Sequence, residues 1–533
     1  MKLELLWAIL AAVINAGLLG MVTMKLLHIM QLGGYKNLPF ACWAYNRRGP
    51  FLHKLLAIAF LGFGCSTGID YLLYVSCGFY LPPAGLVPYF ILLGILASYV
   101  LREKPKVAFR VTPRIKRLWF ASLVFMFLTS LGLALLGASA LKNTPLEPVR
   151  YALVAAGVLL LPLVLIITNV LLWPLEAVIR ASWLRKANKK LARPEYSDLI
   201  KIGITGSYGK TSCKNILTTL LREKYKVCAS PSSYNTPMGF ARTVNETLQN
   251  GDRVLVFEMG ARRAGDIKTL ARLMQPKYGI LTAVGAQHIA TFKTLENIRH
   301  EKSELIKSLP ADGAGVVCGD LYDELKDSQC KVLPPPAFEV TKTGETGCEF
   351  KLTLAGKTIQ CKTKLLGEHN VHNIALCAAL AAELGISPEK IKTAIGKLEP
   401  TPHRLQFIKA DNGITILDDS YNASPAGARA ALDVLKLFKG KKVVVTPGFV
   451  ELGANSHREN YELGKNLAAT ADAVILVNEL NKAALTEGLA SENYAPEKIH
   501  HARTLDEAKE IYKNLLEIGD TLLLLNDLPD NFR

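Results

Sequence analysis

Acidic residues are scarce in the first third of this 533-residue chain: residues 1–194 hold 5 Asp+Glu against 21 Lys+Arg, while residues 195–533 hold 41 against 42. Nearly all of the +17 net charge therefore lies in that first third. It sits between long hydrophobic runs and not along a soluble face, which excludes a nucleic-acid-binding reading of the basic balance. The ten cysteines include no C-x-x-C pair, so they point neither to zinc nor to a disulfide framework; in a cytoplasmic domain they are expected reduced and mostly core-filling. Internal repeats and low-complexity tracts are missing too, which excludes a solenoid. A last absence is local. In GITGSYGKTSCKNIL (203–217) the distal glycine of a Walker loop, five residues before Gly209, is replaced by Ile204.

What is present begins with hydrophobic runs. A bilayer span takes about 20 apolar residues as helix, and five runs qualify, roughly Leu5 to Leu27, Leu55 to Leu81, Leu86 to Leu101, Leu118 to Leu141 and Tyr151 to Leu172. The third is short and carries Pro88, which leaves four spans as the alternative. Lys and Arg are retained on the cytoplasmic side. Basic stretches follow the first run (Lys36, Arg47, Arg48, Lys54), the third (from Arg102 to Arg117) and the fifth (from Arg180 to Arg193), whereas GFYLPPAG and LKNTPLEP carry almost no charge. The alternation predicts a membrane region over 1–180 with the N-terminus outside and the remainder cytoplasmic. The first run is too long for a cleaved signal peptide and lacks a basic leader.

Residues 181–196, ASWLRKANKKLARPEY, form a basic connector suited to anionic lipid. Beyond it short apolar strands alternate with helical stretches, the pattern of a parallel sheet flanked by helices. Strands are predicted at 199–205, 254–259, 278–284 and 314–318, then a small antiparallel insert over 331–366 and two helices, the second with Ser387 as N-cap and Pro388 at its first position. A second α/β unit is expected from Thr401, with strands at 414–418, 442–447, 473–477 and 520–525. The domains are thus 197–400 and 401–533.

The loop Gly206–Thr211 stands where a strand hands over to a helix N-terminus, where backbone N–H groups and the helix dipole favour phosphate. Lys210 would place a charge on the terminal phosphates, and Thr211 a hydroxyl on magnesium. Glu258 and His288 end the next strands, at the edge of a parallel sheet where ligands bind, and they suit a magnesium site. Each also has an ordinary reading, Glu258 as a turn acid and His288 as a satisfied loop histidine. Lys302, in ENIRHEKSELIKSL, reads locally as a solvated helix lysine.

TGSYGKT, YNTPMG (234–239), FEMGARRAGDI (257–267), GAQHIATFKTLENIRHEKSELI (285–306), LGEHNVHNIALCAAL (366–380), PHRLQ (402–406), DDSYNASP (418–425) and TPGFVELG (446–453) occur in the order found in Mur ligases. Residues 197–533 resemble that family, and within it the MurF type, which adds D-alanyl-D-alanine to UDP-N-acetylmuramoyl-tripeptide. The resemblance explains Ile204, since these loops read T-G-x-x-G-K-T. It implies a P-loop central domain with a parallel sheet and a Rossmann-like C-terminal domain, with ATP and magnesium as cofactors. Gly206, Ser207, Gly209, Lys210, Thr211 and Ser212 would hold the ATP phosphates. Thr211, Glu258, His288 and Lys302 would be metal ligands, Lys302 after carbamylation, and Lys210, Lys302 and His288 would be catalytic. Asn370, Asn373, Arg404 and Asp419 would lie about the nucleotide, and Asn235, Thr236, Tyr421, Asn422 and Glu451 about the substrates. The implied chemistry is phosphorylation of a carboxylate to an acyl phosphate, followed by amine attack.

Two departures from the family stand out. MurF-type ligases begin with a domain that grips the UDP-sugar, where this chain has hydrophobic runs, so the acceptor is either UDP-linked and held elsewhere or lipid-linked. Asn460 stands where many relatives carry histidine. Asp70, inside the second run, is an intramembrane acid and so a candidate for a headgroup or partner contact, against the ordinary reading of an interfacial or helix-pairing aspartate near the outer face. The sequence supports a membrane-anchored ligase acting on a muramoyl-peptide with D-Ala-D-Ala or another amine. The alternatives are a related ligase with a different acceptor, or a nucleotide-binding scaffold for cell-wall synthesis proteins.

Overall fold

The computed structural model describes residues 2–46, 50–77, 84–102, 109–285, 289–421, 424–450 and 452–526. Two compact units divide the chain, Met1–Ile179 and Arg180–Leu528.

The first unit is helical. Four helical stretches are long and apolar enough to cross a membrane, within Glu4–Leu32, Phe51–Ser76, Pro113–Ala140 and Leu153–Leu191, and a shorter apolar helix covers Leu86–Tyr99. The helix containing that short segment, Leu86–Arg102, has 17 residues and reaches about 26 Å at 1.5 Å per residue, slightly under the thickness of a hydrocarbon core. Large apolar side chains such as Phe60, Leu72, Phe120 and Val170 remain exposed around this unit, a surface that water disfavours and lipid tolerates. Polar groups point inward. Asn15 donates to Ser130 Oγ at 2.9 Å and accepts from the Tyr89 hydroxyl at 2.7 Å. Asp70 is buried and accepts the Gly85 N–H at 2.8 Å, while its other oxygen has no partner among the described residues.

The second unit is α/β. Its first sheet contains β1 (Ile200–Thr205), β2 (Val227–Ala229), β3 (Val254–Glu258), β4 (Tyr278–Leu281), β5 (Ala314–Val317) and β6 (Lys331–Leu333). They run parallel in the order β2-β3-β1-β4-β5-β6. β7 (Phe338–Gly344), β8 (Gly347–Leu354) and β9 (Lys357–Thr363) form an antiparallel insert that starts later than expected, because Lys331–Leu333 pairs parallel with β5 and belongs to the first sheet. A last sheet holds β10 (Gln406–Lys409), β11 (Thr415–Asp419), β12 (Lys442–Thr446), β13 (Ala473–Val477), β14 (Ile499–Ala502) and β15 (Thr521–Leu525), in the order β10-β11-β15-β12-β13-β14 with only β10 antiparallel.

The central strands are buried throughout, as in β3 and β5, because helices cover both faces of a parallel sheet. Helix Glu368–Glu383 lies on one face against Lys210–Leu221, and its Val371, Ile374 and Leu376 join Ile202, Ile204 and Leu217 in one core. Ser387 occupies the predicted N-cap position with Pro388 following, but its hydroxyl makes no capping bond. The basic connector 181–196 is not a loose strap. The helix Leu161–Leu191 runs through it, and Trp183, Leu184, Ala187 and Leu191 pack on the core beneath β3.

Candidate active site

β1 extends to Thr205, so Ile204 is a buried strand residue in register with Glu258 of β3. The position of the missing glycine belongs to the sheet, and the loop proper is only Gly206–Gly209. Its two glycines have separate reasons. At Gly206 (φ +150°) a side chain would land on the Thr282 hydroxyl, and at Gly209 (φ +78°) a Cβ would stand 2.7 Å from Asn373 Oδ1. The following helix Lys210–Leu221 has Gly209 as its N-cap. Glycine brings no capping side chain, so the first-turn amides, Lys210 to Ser212, remain for an outside acceptor. Ser207 and Tyr208 both donate their N–H groups to the Ala283 carbonyl (2.9 and 3.3 Å), which ties the loop to the end of β4.

Lys210 Nζ donates to the Gly206 and Ser207 carbonyls at 2.7 and 3.1 Å. Part of its surface is open to solvent, yet protein atoms crowd around it. Desolvation pushes its pKa down to about 8, against the attraction of Glu258 and helped by repulsion from Arg404. Thr211 Oγ1 donates to Glu258 Oε2 at 3.0 Å. A hydroxyl and a buried carboxylate thus share one spot at the ends of β1 and β3, an all-oxygen pair suited to a hard cation.

Lys302 corrects the local reading of the sequence. It is 3% exposed on the inner face of helix Leu295–Lys307, not solvated. Burial, and then the charge of Lys210, push its pKa down to about 7, and it has no hydrogen-bond partner among the described residues. The adjacent Glu301 is buried as well and accepts the N–H groups of Gly265 and Ile267, both at 2.7 Å, holding helix Asp266–Met274 in place.

The sequence analysis missed Lys214. It is 3% exposed, 3.7 Å from Glu258 Oε2, and bonded to the Ser232 carbonyl. Its place one turn after Lys210 is the only signal the sequence carried. Asn235 and Thr236 stand beside these groups: the Asn235 carbonyl accepts the Gly260 N–H at 2.9 Å, two residues after Glu258, and Thr236 caps helix Pro237–Arg242.

From the other face, Asn373 Oδ1 accepts the Cys213 thiol at 3.4 Å, while Asn370 donates to the Leu366 carbonyl at 2.8 Å, four residues back. In the last sheet Asp419 Oδ1 accepts the Leu405 N–H at 3.0 Å, and desolvation raises its pKa to about 7 against the pull of Arg404. The Arg404 guanidinium lies over the Tyr421 ring at 4.6 Å, and the Tyr421 hydroxyl donates to Ser233 Oγ at 3.3 Å. Residues after Thr401 therefore reach the loop before Asn235. Asn460 faces inward: fully buried, it accepts the Phe449 N–H at 2.7 Å and donates to the Ser456 carbonyl at 2.8 Å, bracing the TPGFVELG turn from behind. His288, Asn422 and Glu451 lie outside the described residues. Among the described residues no three His, Cys, Asp or Glu side chains converge as a metal site, so the oxygen pair and Lys302 carry that reading.

Fold and site define a P-loop enzyme with a second α/β domain meeting its phosphate loop. Residues 204–381 match the Mur ligase middle domain and residues 403–526 the glutamate ligase domain of Mur ligases. The UDP-N-acetylmuramoyl-tripeptide–D-alanyl-D-alanine ligase of Bacillus subtilis (strain 168) is 30% identical over 332 residues, covering 60% of this chain and 72% of that protein. Among solved structures, MurF from Acinetobacter baumannii superposes with a TM-score of 0.60 at 25% identity, covering 66% of this chain and 78% of that one. MurF from Thermotoga maritima in complex with ADP gives 0.58 at 26%, covering 65% and 80%. The chain belongs to the Mur ligase family, with the helical unit as an additional N-terminal region. It is accordingly an ATP-dependent, amide-forming ligase.

Proposed function

We propose that the chain joins D-Ala-D-Ala to the terminal carboxylate of a muramoyl-tripeptide, as its relatives are named for doing, and that it does so as a multi-pass membrane protein with the ligase domains in the cytoplasm. The observation that carries this reading is the convergence of Lys210, Thr211, Glu258 and Lys302 at the ends of β1 and β3, beside Asn235 and Thr236.

A carboxylate does not react with an amine at neutral pH, so it is first phosphorylated. One carboxylate oxygen takes the γ-phosphoryl group, the bond to ADP breaks, and the amine then displaces phosphate from the acyl carbon. The first-turn amides of Lys210–Ser212 hold the phosphates, and Lys210 neutralises charge on the transferred group. The residues fit magnesium through the Thr211 hydroxyl and the Glu258 carboxylate, with His288 and Lys302 as further ligands. Bound there, the cation supplies charge neutralisation for the phosphates. At a pKa near 7 a large share of Lys302 is the neutral amine, the form that adds carbon dioxide to become a carbamate, so its burial prepares it to turn into an anionic ligand. Tyr421, stacked under Arg404, ties the C-terminal domain to the loop before Asn235, and closure of that domain over the nucleotide would exclude water that hydrolyses the acyl phosphate.

Four long apolar helices, the exposed apolar surface and the basic stretches support the membrane assignment, and the alternation of those stretches supports five spans with the N-terminus outside. A lipid-linked acceptor and contacts with cell-wall synthesis proteins are compatible with that placement. The test is ADP release by full-length protein in detergent. Release requiring both a UDP-linked or lipid-linked muramoyl-tripeptide and D-Ala-D-Ala supports the ligase. Nucleotide binding with no release under any pairing would leave the scaffold reading.

A further inference from the structure

Five basic side chains line one groove on the second unit. Arg185, Lys186, Lys189, Lys190 and Arg193 border a cavity of about 460 Å³ together with Ser182 and Asn245. The volume lies in the range of small-molecule sites. Spacings of three and four residues put the stripe on one helix face, and the opposite face, Trp183, Leu184, Ala187 and Leu191, is fixed on the ligase core. Among the described residues no acidic side chain lines the cavity. Nearby Glu195 lies 3.6 Å from Arg193. Arg185, Lys186 and Lys189 are exposed and engaged in no ion pair among the described residues, whereas Lys190 donates to the Val244 and Leu248 carbonyls at 2.8 and 2.6 Å and Asn245 donates to the Trp183 carbonyl at 3.0 Å. Lys190 and Asn245 therefore build the groove, and Arg185, Lys186 and Lys189 present charge to it.

The groove is joined to the active site by a single rod. Thr236 caps 6 helical residues, Pro237–Arg242, which continue into 5 π-helical residues, Thr243–Thr247, ending at the Lys190 contact. At about 1.5 Å per residue those 11 residues are about 16 Å long. An extended tripeptide spans about 10 Å, and a hexose between it and its anomeric substituent closes the remainder. An acceptor whose carboxylate lies by Thr236 thus places the group at its other end in the basic groove. We infer that this groove binds the diphosphate of the acceptor. Diphosphate is the chemistry that a nucleotide-linked and a polyprenyl-linked muramoyl-peptide share, and the guanidinium and ammonium groups match it in charge and donor geometry. The inference rests on the acceptor reading above, and its first test does not require turnover.

Full-length protein in phosphatidylcholine nanodiscs, with its phosphate loop saturated by MgADP, is titrated with inorganic pyrophosphate by calorimetry. Binding is expected, and the double variant Arg185→Ala/Lys189→Ala, which changes only exposed side chains, weakens it at least tenfold. In turnover the same variant raises KM for the acceptor at least tenfold, with kcat and the KM for ATP held. Comparing UDP-linked acceptor in solution with polyprenyl-diphosphate-linked acceptor in the disc shows which source the groove serves, by whose KM rises. Equal pyrophosphate binding by wild type and variant overturns the inference. So does a variant that loses only its association with phosphatidylglycerol vesicles, which would make the stripe a bilayer contact. Absence of any product while pyrophosphate binding remains sensitive to the variant counts against the acceptor reading and not against the groove.

Discussion

At the residue scale the site is organised around two lysines that burial keeps from being fully charged. Lys302 has a folded pKa of about 7, below its ordinary 10.5. Between those values the unfolded chain binds more protons than the folded one, so the destabilisation from burying this amine is fully present below pH 7 and is relieved as pH rises toward 10.5. Lys302→Met is expected to raise stability by about 2–4 kcal/mol below pH 7 in carbon dioxide-free buffer, with the gain shrinking by pH 9, as read from urea midpoints. The same variant abolishes ligation. Lys302→Ala, assayed with added short carboxylates that can replace the carbamate, should recover part of its turnover; a variant that turned over normally without them would remove Lys302 from the metal site. For Lys210→Met, kcat is expected to fall about 100- to 1000-fold, measured as ADP release.

The fold's local logic shows best at the element scale. Gly209→Ala places a Cβ against Asn373 at a positive φ, at a conformational cost of about 1–2 kcal/mol. Thermal unfolding should report that loss, together with a raised KM for ATP. Asn460→Ala removes a fully buried amide from the TPGFVELG turn and is expected to destabilise by about 2–4 kcal/mol, whereas Asn460→His tests whether the turn accepts an imidazole in its place. The central strands were legible because β1, β3, β4, β5, β12, β13 and β15 are short apolar runs between turns. β2 (VCA) and β14 (IHHA) were not, being 3 and 4 residues long and of mixed polarity. The loop was legible from its motif despite the missing glycine. Lys302 and Lys214 were misread or missed because their helices are polar in composition, and what buries a side chain there is the neighbouring sheet edge, which local periodicity does not encode.

On the scale of the whole molecule, an ATP-dependent ligase follows a helical unit with apolar surface and a strongly basic balance. The charge asymmetry between residues 1–194 and the remainder predicts a salt-sensitive electrostatic contribution to any contact with anionic lipid, since such attraction falls off over a Debye length of about 8–10 Å. Reconstituted protein should hold to neutral vesicles in 1 M salt if the long helices are inserted. Extraction by salt alone would show a peripheral protein.

The central claim is that this chain forms an amide bond between a muramoyl-peptide carboxylate and D-Ala-D-Ala. Its most direct test is mass spectrometry of the acceptor after incubation with full-length protein, MgATP and the dipeptide. The account predicts an acceptor heavier by the dipeptide less one water, one ADP per product, and neither with Lys302→Ala. ADP formation without any mass change of the acceptor, UDP-linked or lipid-linked, would contradict it.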